Sequence, residues 1–464
     1  MGQARARKIP ARLVEDEDYQ LRYERVAGID VAKASGMACV RLPPAEGGQR
    51  RYSRVWEVPA TVPDIEALAG ELTDQGVELV AMESTSDYWR IWFVVLEAAG
   101  LKVRLVNSSQ ARNLPGRPKT DKADAQWIAR LTEMGLLRPS FVPPAEIRAL
   151  RQYTRQLAHL NGDRTRYWQR LEKLLESALC KLSAVVSGLA GSKSGVAMVE
   201  AMIAGERDPQ VLAGLAKGPL KQKHAALARA FTGMRFGPEH AFSADSHLRM
   251  IRRLGEEIEA LEARIGSHIA QMPAAWGVDA DGTTGPGAGR DEDAAVLPAV
   301  ERLAEIPGVS PRIAAAIIAE TGLDMSVFPT PQALVSWTGL APVPRQSGPR
   351  KSRGKKGNGN TYARRAAAQA ATGAARTDTF LGERHRRLRS RPGGGGWNKA
   401  STAVGRSIMI IVWHLLKDPS ARYRDLGPGH YARHTDRNRK TRGHLRQLQA
   451  LGYDVTLTPR ENAA

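Results

Sequence analysis

Cysteine is nearly absent from this chain of 464 residues: Cys39 and Cys180 are its two, far apart and without histidine neighbours. That excludes a disulfide framework and a cysteine-rich zinc module, and it fits a reducing cytoplasm. Also missing is any apolar run near the ~20 residues of a membrane span. The best, Ile408 to Leu416, is about half as long. The basic stretch Met1 to Arg12 has no apolar core behind it, so it does not read as a secretory signal. Acid is short relative to base. Lys and Arg total 68 against 48 Asp and Glu, a formal net charge of +20, while apolar residues make up 42%. That apolar share supplies real cores and excludes a wholly disordered basic tail. At roughly 150 residues per domain the length points to about three folding units. What is left is a multidomain cationic protein with no membrane partner, and the commonest polyanion it meets is nucleic acid.

Residues 1–24 read as a mobile basic arm. Val26–Asp30, Gly36–Leu42 and Arg51–Val58 read as strands, and Ile65, Leu68, Ala69 and Leu72 mark a helix over Pro63–Gln75. A strand (Val77–Met82), a helix (Tyr88–Ala99), a strand (Lys102–Val106) and a helix (Thr120–Met134) follow. This order describes an α/β domain over 25–140, its sheet sandwiched by helices. Within 141–275, the apolar positions from Leu150 to Leu174 and from Ile251 to Ile265 keep the spacing of coiled-coil seams. They flank an Ala/Gly-rich insert at 183–246, read as short helices. The seams suit an antiparallel pair within the chain or packing on a second subunit. Residues 276–298 read as a flexible linker, 299–420 as a helical and increasingly basic domain, and 421–464 as a charged tail. The tail has a short extended finish at Leu451–Pro459.

Four carboxylates stand out in the first domain. Asp30 ends the first strand and Glu83 ends the fourth, where an acid is costly unless solvated or bound to a cation. Asp121 and Asp124, three apart at a helix start, project from one face. Two strand ends and one helix face are expected to bring the four together. Oxygen donors of this kind suit Mg²⁺ or Mn²⁺, not zinc. Two such ions would stabilise the attacking and leaving oxygens of a phosphodiester exchange. The plainer alternative makes Asp30 a turn former and Asp121 a helix cap. Asp64, Glu66, Glu97 and Glu133 fit solvated helix faces.

In the helical half, Ile306-Pro-Gly308-Val-Ser310 before an apolar helix resembles a helix-hairpin-helix, whose glycine turn holds a DNA phosphate on backbone N–H groups. From Ser347 to Arg365 stand Arg350, Lys351, Arg353, Lys355, Lys356, Arg364 and Arg365, and no acid. Such a block predicts phosphate contact with strong salt dependence. Ser347 is the candidate nucleophile. Its attack on a phosphodiester would keep the bond energy in a phosphoserine, with Arg345, Arg350 and Lys351 to neutralise charge.

The order Asp-strand, Glu-strand, Asp-x-x-Asp helix resembles the RNase H-like domain of RuvC-type Holliday-junction resolvases. More closely, it resembles the DEDD transposases of bacterial insertion-sequence family 110, bridge-RNA-guided recombinases. Gly28-Ile-Asp30-Val-Ala-Lys, Met82-Glu83-Ser-Thr-Ser-Asp-Tyr-Trp and Lys119-Thr-Asp121-Lys-Ala-Asp124-Ala carry the likeness. So do Gly339-Leu-Ala-Pro, Ser347-Gly, the basic Gly-Asn stretch and Arg364-Arg365-Ala. It covers about 25–180 and 300–380, plus the Leu-Gly-Tyr-x-Val-x-Leu-x-Pro tail.

The resemblance implies a RuvC-like catalytic domain whose Asp30, Glu83, Asp121 and Asp124 bind Mg²⁺ or Mn²⁺. It also implies a C-terminal transposase domain with Ser347 as covalent nucleophile, meeting the carboxylates in a composite site, from another subunit if the chain assembles. Donor and target DNA, a guide RNA made by the element, a homodimer or tetramer, and a bacterial, nucleoid-associated cytoplasmic setting follow from it. The insert at 183–246 and the linker at 277–297 are longer than the family leads one to expect, and Ser352–Asn358 is compressed. A metal-dependent junction nuclease using water, and a non-catalytic nucleic-acid-binding protein, are the competing readings.

Overall fold

Short apolar runs (β2, β5) and an alternating strand (β4) in the first hundred or so positions take part in a six-stranded sheet in the order β1-β4-β3-β2-β5-β6. The strands are β1 (Arg12–Glu15), β2 (Val26–Val31), β3 (Ser35–Leu42), β4 (Arg50–Pro59), β5 (Leu79–Glu83) and β6 (Val103–Val106). β1 to β2 meander antiparallel through β4 and β3, whereas β5 and β6 join β2 in parallel. Beyond the β1 edge, three antiparallel strands continued by two parallel ones make the mixed sheet expected of an RNase H-like domain, in the expected α/β class. The computed structural model describes residues 12–15, 21–44, 50–83, 86–107, 120–272, 275, 297–342, 345–347, 350–352, 359–391, 396–433 and 437–457. Two compact units divide the chain, residues 1–142 and 143–464.

In the first unit, helices α1 (Val62–Asp74) and α2 (Trp89–Ala98) cover one sheet face. Ala27, Ile29 and Val31 pack there on Ile65, Leu68, Leu72, Trp92 and Leu96. Helix α3 (Asp121–Glu133) covers the other face, with Ala125 and Ala129 on Cys39 and Val55, and Ile128 and Leu131 on Ala81 and Val106. The α3 backbone comes so close to β2 that a side chain on Gly28 has no room. A Cβ there would sit 2.6 Å from the Ala125 carbonyl oxygen and 2.9 Å from the Ala129 Cα. Gly28→Ala is therefore expected to destabilise the chain by about 3 kcal/mol or more, because the obstruction is backbone and cannot swing aside. Equilibrium unfolding in denaturant reads the loss, and a midpoint shared with the unaltered chain would refute the packing.

Two sequence expectations change here. Part of the stretch read as a mobile arm is tied down. Arg12–Glu15 pairs with β4, and the Arg22 N–H donates to the Glu133 carbonyl at 2.8 Å. Glu133, read as lying on a solvated helix face, is buried at 1% exposure and ion-paired to Arg41 (2.7 Å) and Arg51 (2.9 Å). It follows Ala125 and Ala129 at four-residue steps, so it shares their inward stripe. Burial pushes the Cys39 thiol up to about 12 and the Cys180 thiol up to about 11, so neither ionises near neutral pH.

In the second unit, helices α4 (Ala145–Ser177) and α5 (Pro238–Ala270) carry the two seams and pack on each other within the chain. They run antiparallel. A His268 Nε2 contact to the Glu146 carbonyl at 3.0 Å marks one end, and the Tyr167 and His247 rings meet farther along. The insert between them forms short helices, among them Lys193–Ile203, Pro209–Gly214 and His224–Phe231. Their Met198, Met202, Leu212, Leu227 and Phe231 share a core with Leu171, Leu175 and Leu248. Residues 276–296, most of the expected linker, lie outside the described residues. Helices α6 (Ala299–Ala304), α7 (Pro311–Thr321) and α8 (Pro331–Trp337) follow, then the hairpin β7 (Arg345–Ser347) and β8 (Arg350–Ser352). The remainder is α9 (Thr361–Ala374), α10 (Phe380–Ser390), α11 (Gly396–Lys417), a short turn of helix at His430–Arg433, and α12 (Arg437–Ala450).

Candidate active site

The sheet's alternation decides where the first two acids point. Gly28 faces α3, so Asp30, two residues on along β2, faces α3 as well. Ala81 packs under Ile128 and Leu131, so Glu83, two residues on along β5, shares that face. The parallel register pairs Ile29 with Met82, which sets Asp30 and Glu83 side by side at the carboxyl ends of neighbouring strands.

Helix α3 brings the other two. Its last residue, Glu133, is held by Arg41, whose register partner Val26 begins β2. The helix therefore runs antiparallel to β2, and its first turn lies over the strand ends that carry Asp30 and Glu83. Asp121 and Asp124 occupy that turn, behind an N-cap in which the Thr120 hydroxyl accepts from the Ala123 N–H at 3.2 Å. The helix dipole favours carboxylates there. Glu83 is the most buried of the four at 2% exposure, Asp30 and Asp124 are half-buried, and Asp121 is exposed.

All four expected acids thus stand on one face at one end of the sheet. The expected gathering of the four is only partial: they share a face and an end of the sheet, but among the described residues no three His, Cys, Asp or Glu side chains come close enough together to form a ligand cluster. The donor chemistry, carboxylate oxygen throughout, suits a hard divalent cation.

The C-terminal candidates are placed less completely. Ser347 ends β7 opposite Arg350, and Arg345 and Lys351 lie in the same hairpin, but their side chains are outside the described residues. Arg353, Lys355 and Lys356 fall outside altogether. Arg364 is half-buried and Arg365 exposed, both on the first turns of α9. Gly308 has a positive φ of 86°, as a glycine turn requires. Its open side, however, is taken by the protein itself. A Cβ there would run into the Ala370 carbonyl and sit 3.0 Å from the Ala374 Cα of α9. Helix packing accounts for this glycine without any phosphate.

Sequence reasoning missed two features of the region. The hairpin β7–β8 has polar letters that read as loop, and only cross-strand pairing defines it. The carboxylate of Glu320, at 1% exposure on α7, is gripped by Arg155 from α4 at 2.8 and 2.9 Å. A lone Glu closing the apolar run Ile313–Glu320 was the available signal.

Comparison with known proteins falls on the same two regions. Residues 27–179 match the family model DEDD_Tnp_IS110, described as a transposase, and residues 300–386 match the model "Transposase IS116/IS110/IS902 family". The insertion element IS900 uncharacterized 42 kDa protein of Mycobacterium paratuberculosis is 27% identical over 411 residues, which are 84% of this chain and 95% of that protein. The insertion element IS116 uncharacterized 44.8 kDa protein of Streptomyces clavuligerus is 26% identical over 241 residues, 51% of this chain and 55% of that protein. Among solved structures, T. thermophilus RuvC in complex with Holliday junction substrate aligns at 19% identity and a TM-score of 0.20, over 25% of this chain and 100% of RuvC. With one family matched over both the carboxylate sheet and the serine-bearing helical region, the chain belongs to the IS116/IS110/IS902 family of transposases, enzymes that cut and move DNA.

Proposed function

We propose that this transposase cuts and rejoins the DNA strands of its insertion sequence through a phosphoserine intermediate. The observation supporting the carboxylate half is the shared face of Asp30 and Glu83 at adjoining strand ends, beneath the helix turn of Asp121 and Asp124. These four would hold Mg²⁺ or Mn²⁺, which when bound supplies charge neutralisation at the attacking and leaving oxygens. The Ser347 Oγ attacks phosphorus, the bond from phosphorus to the 3′ oxygen breaks, and the hydroxyl proton ends on that 3′ oxygen. The chain then holds a 5′-phosphoserine. Attack by a second 3′-hydroxyl reverses the step, joins the new strand and returns the proton to serine.

Arg345, Arg350, Lys351, Arg353, Lys355, Lys356, Arg364 and Arg365 supply positive charge for the DNA backbone in this reading. Donor and target would be chosen by a guide RNA made by the element. A dimer or tetramer is the working assembly.

A strand-transfer assay with labelled donor and target DNA, the element's RNA and Mg²⁺ tests the reading. Joined strands between donor and target are the expected product. Free ends alone would overturn it in favour of a water-using junction nuclease. No cleavage under any divalent ion would leave a nucleic-acid-binding protein.

A further inference from the structure

The segment that carries Ser347 leaves and returns to the helical unit at one point. A Cβ on Gly359 would collide with the backbone of Thr338 and Gly339, so the two ends of the segment touch. The next residue, Asn360, fixes that junction. Its N–H donates to the Trp337 carbonyl at 3.0 Å, and its Oδ1 caps α9 by accepting from Tyr362 and Ala363, both at 3.0 Å. The other half of the same amide, Nδ2, donates to Glu320 Oε2 at 2.6 Å.

Glu320 is in turn anchored to the long helix α4. Arg155 holds its carboxylate with two near-parallel hydrogen bonds, and Arg151 Nε stands 3.4 Å from Oε2 while Nη2 donates to the Glu320 carbonyl at 2.7 Å. Tyr362 closes the set, with the Arg155 guanidinium over its ring and its hydroxyl 2.9 Å from His159 of α4. Charge-assisted, bidentate contacts of this kind set direction as well as distance. The place where the two ends of the segment meet is thereby fixed, and a misplacement of ~1 Å at a reacting atom can cost ~100-fold in rate.

We propose that Glu320 and Asn360 are positioning residues for the segment that carries Ser347, joining the place where its two ends meet to Arg155 of α4. The inference rests on Ser347 being the nucleophile. It goes beyond that reading by naming groups that aim the serine without touching DNA.

Asn360→Asp isolates the link. The introduced side chain keeps an oxygen to cap α9, but it replaces the amide donor with a second acid facing Glu320. With the full chain and saturating DNA, the single-turnover rate of covalent serine–DNA adduct formation is expected to fall ~100-fold, with DNA affinity unchanged within about twofold. The double exchange Asn360→Asp with Glu320→Gln restores one donor and one acceptor in reversed order and keeps one carboxylate beside the arginines. Its adduct rate is expected to exceed that of either single variant by about tenfold. A full rate in Asn360→Asp, or a folded double variant no faster than the singles, overturns the positioning role. Absence of adduct from the unaltered chain would instead sink the serine reading, so the two failures are told apart.

Discussion

Exchange of Glu83 for Gln is expected to slow DNA strand cleavage by about two to three orders of magnitude. The amide is isosteric and still forms hydrogen bonds, so the buried end of β5 keeps its shape, while the negative charge at 2% exposure is lost. A charge lost from a divalent-ion site weakens metal affinity, so raising Mg²⁺ should recover part of the rate. DNA binding should hold, because the basic residues proposed to meet DNA lie between Arg345 and Arg365. Glu66→Gln is the control: it removes an exposed acid on α1, on the opposite side of the sheet, and should leave cleavage unchanged. Full cleavage by Glu83→Gln would show that this acid is scaffold.

Ser347→Ala is the second large effect. The covalent protein–DNA adduct should vanish from denaturing gels, with any residual cleavage reduced by at least ~10⁴-fold, since alanine has no hydroxyl with which to attack phosphorus. Binding should survive, because alanine fits any backbone that serine adopts at the end of β7. Ser352→Ala, in the paired strand β8, separates position from residue type: it should keep the adduct. Unchanged adduct in Ser347→Ala would reassign the nucleophile.

Much of the first unit was legible in the chain because its signals are local. Short apolar runs and, in β4, alternation gave β2, β3 and β4 to within a residue or two, and the Asp121-x-x-Asp124 spacing put two acids on one helix turn. What defeated sequence reading was action at a distance. Glu133 looked like a surface acid until Arg41, 92 residues away, and Arg51 closed on it. The Glu320 grip joins α4 to α7 across 165 residues. Gly308 carried the letters of a phosphate-binding turn, yet its shape answers to the Ala-rich helix α9, which no local pattern announces. The seams were readable as seams but not as partners, since 3-4 spacing is blind to which chain supplies the second helix.

That pairing in cis has a consequence for how the molecule can vary. Arms α4 and α5 each span 33 residues, so the stalk they form is about 50 Å long at ~1.5 Å per residue, with the small helical cap at its tip. Its length is written twice, once outbound and once on the return. A relative could lengthen the reach only by adding matched turns to both arms, about 10 Å for each paired heptad. An unmatched insertion would slide every seam contact beyond it out of step. Stalk length across this family should therefore change in paired heptad steps, as on a ruler.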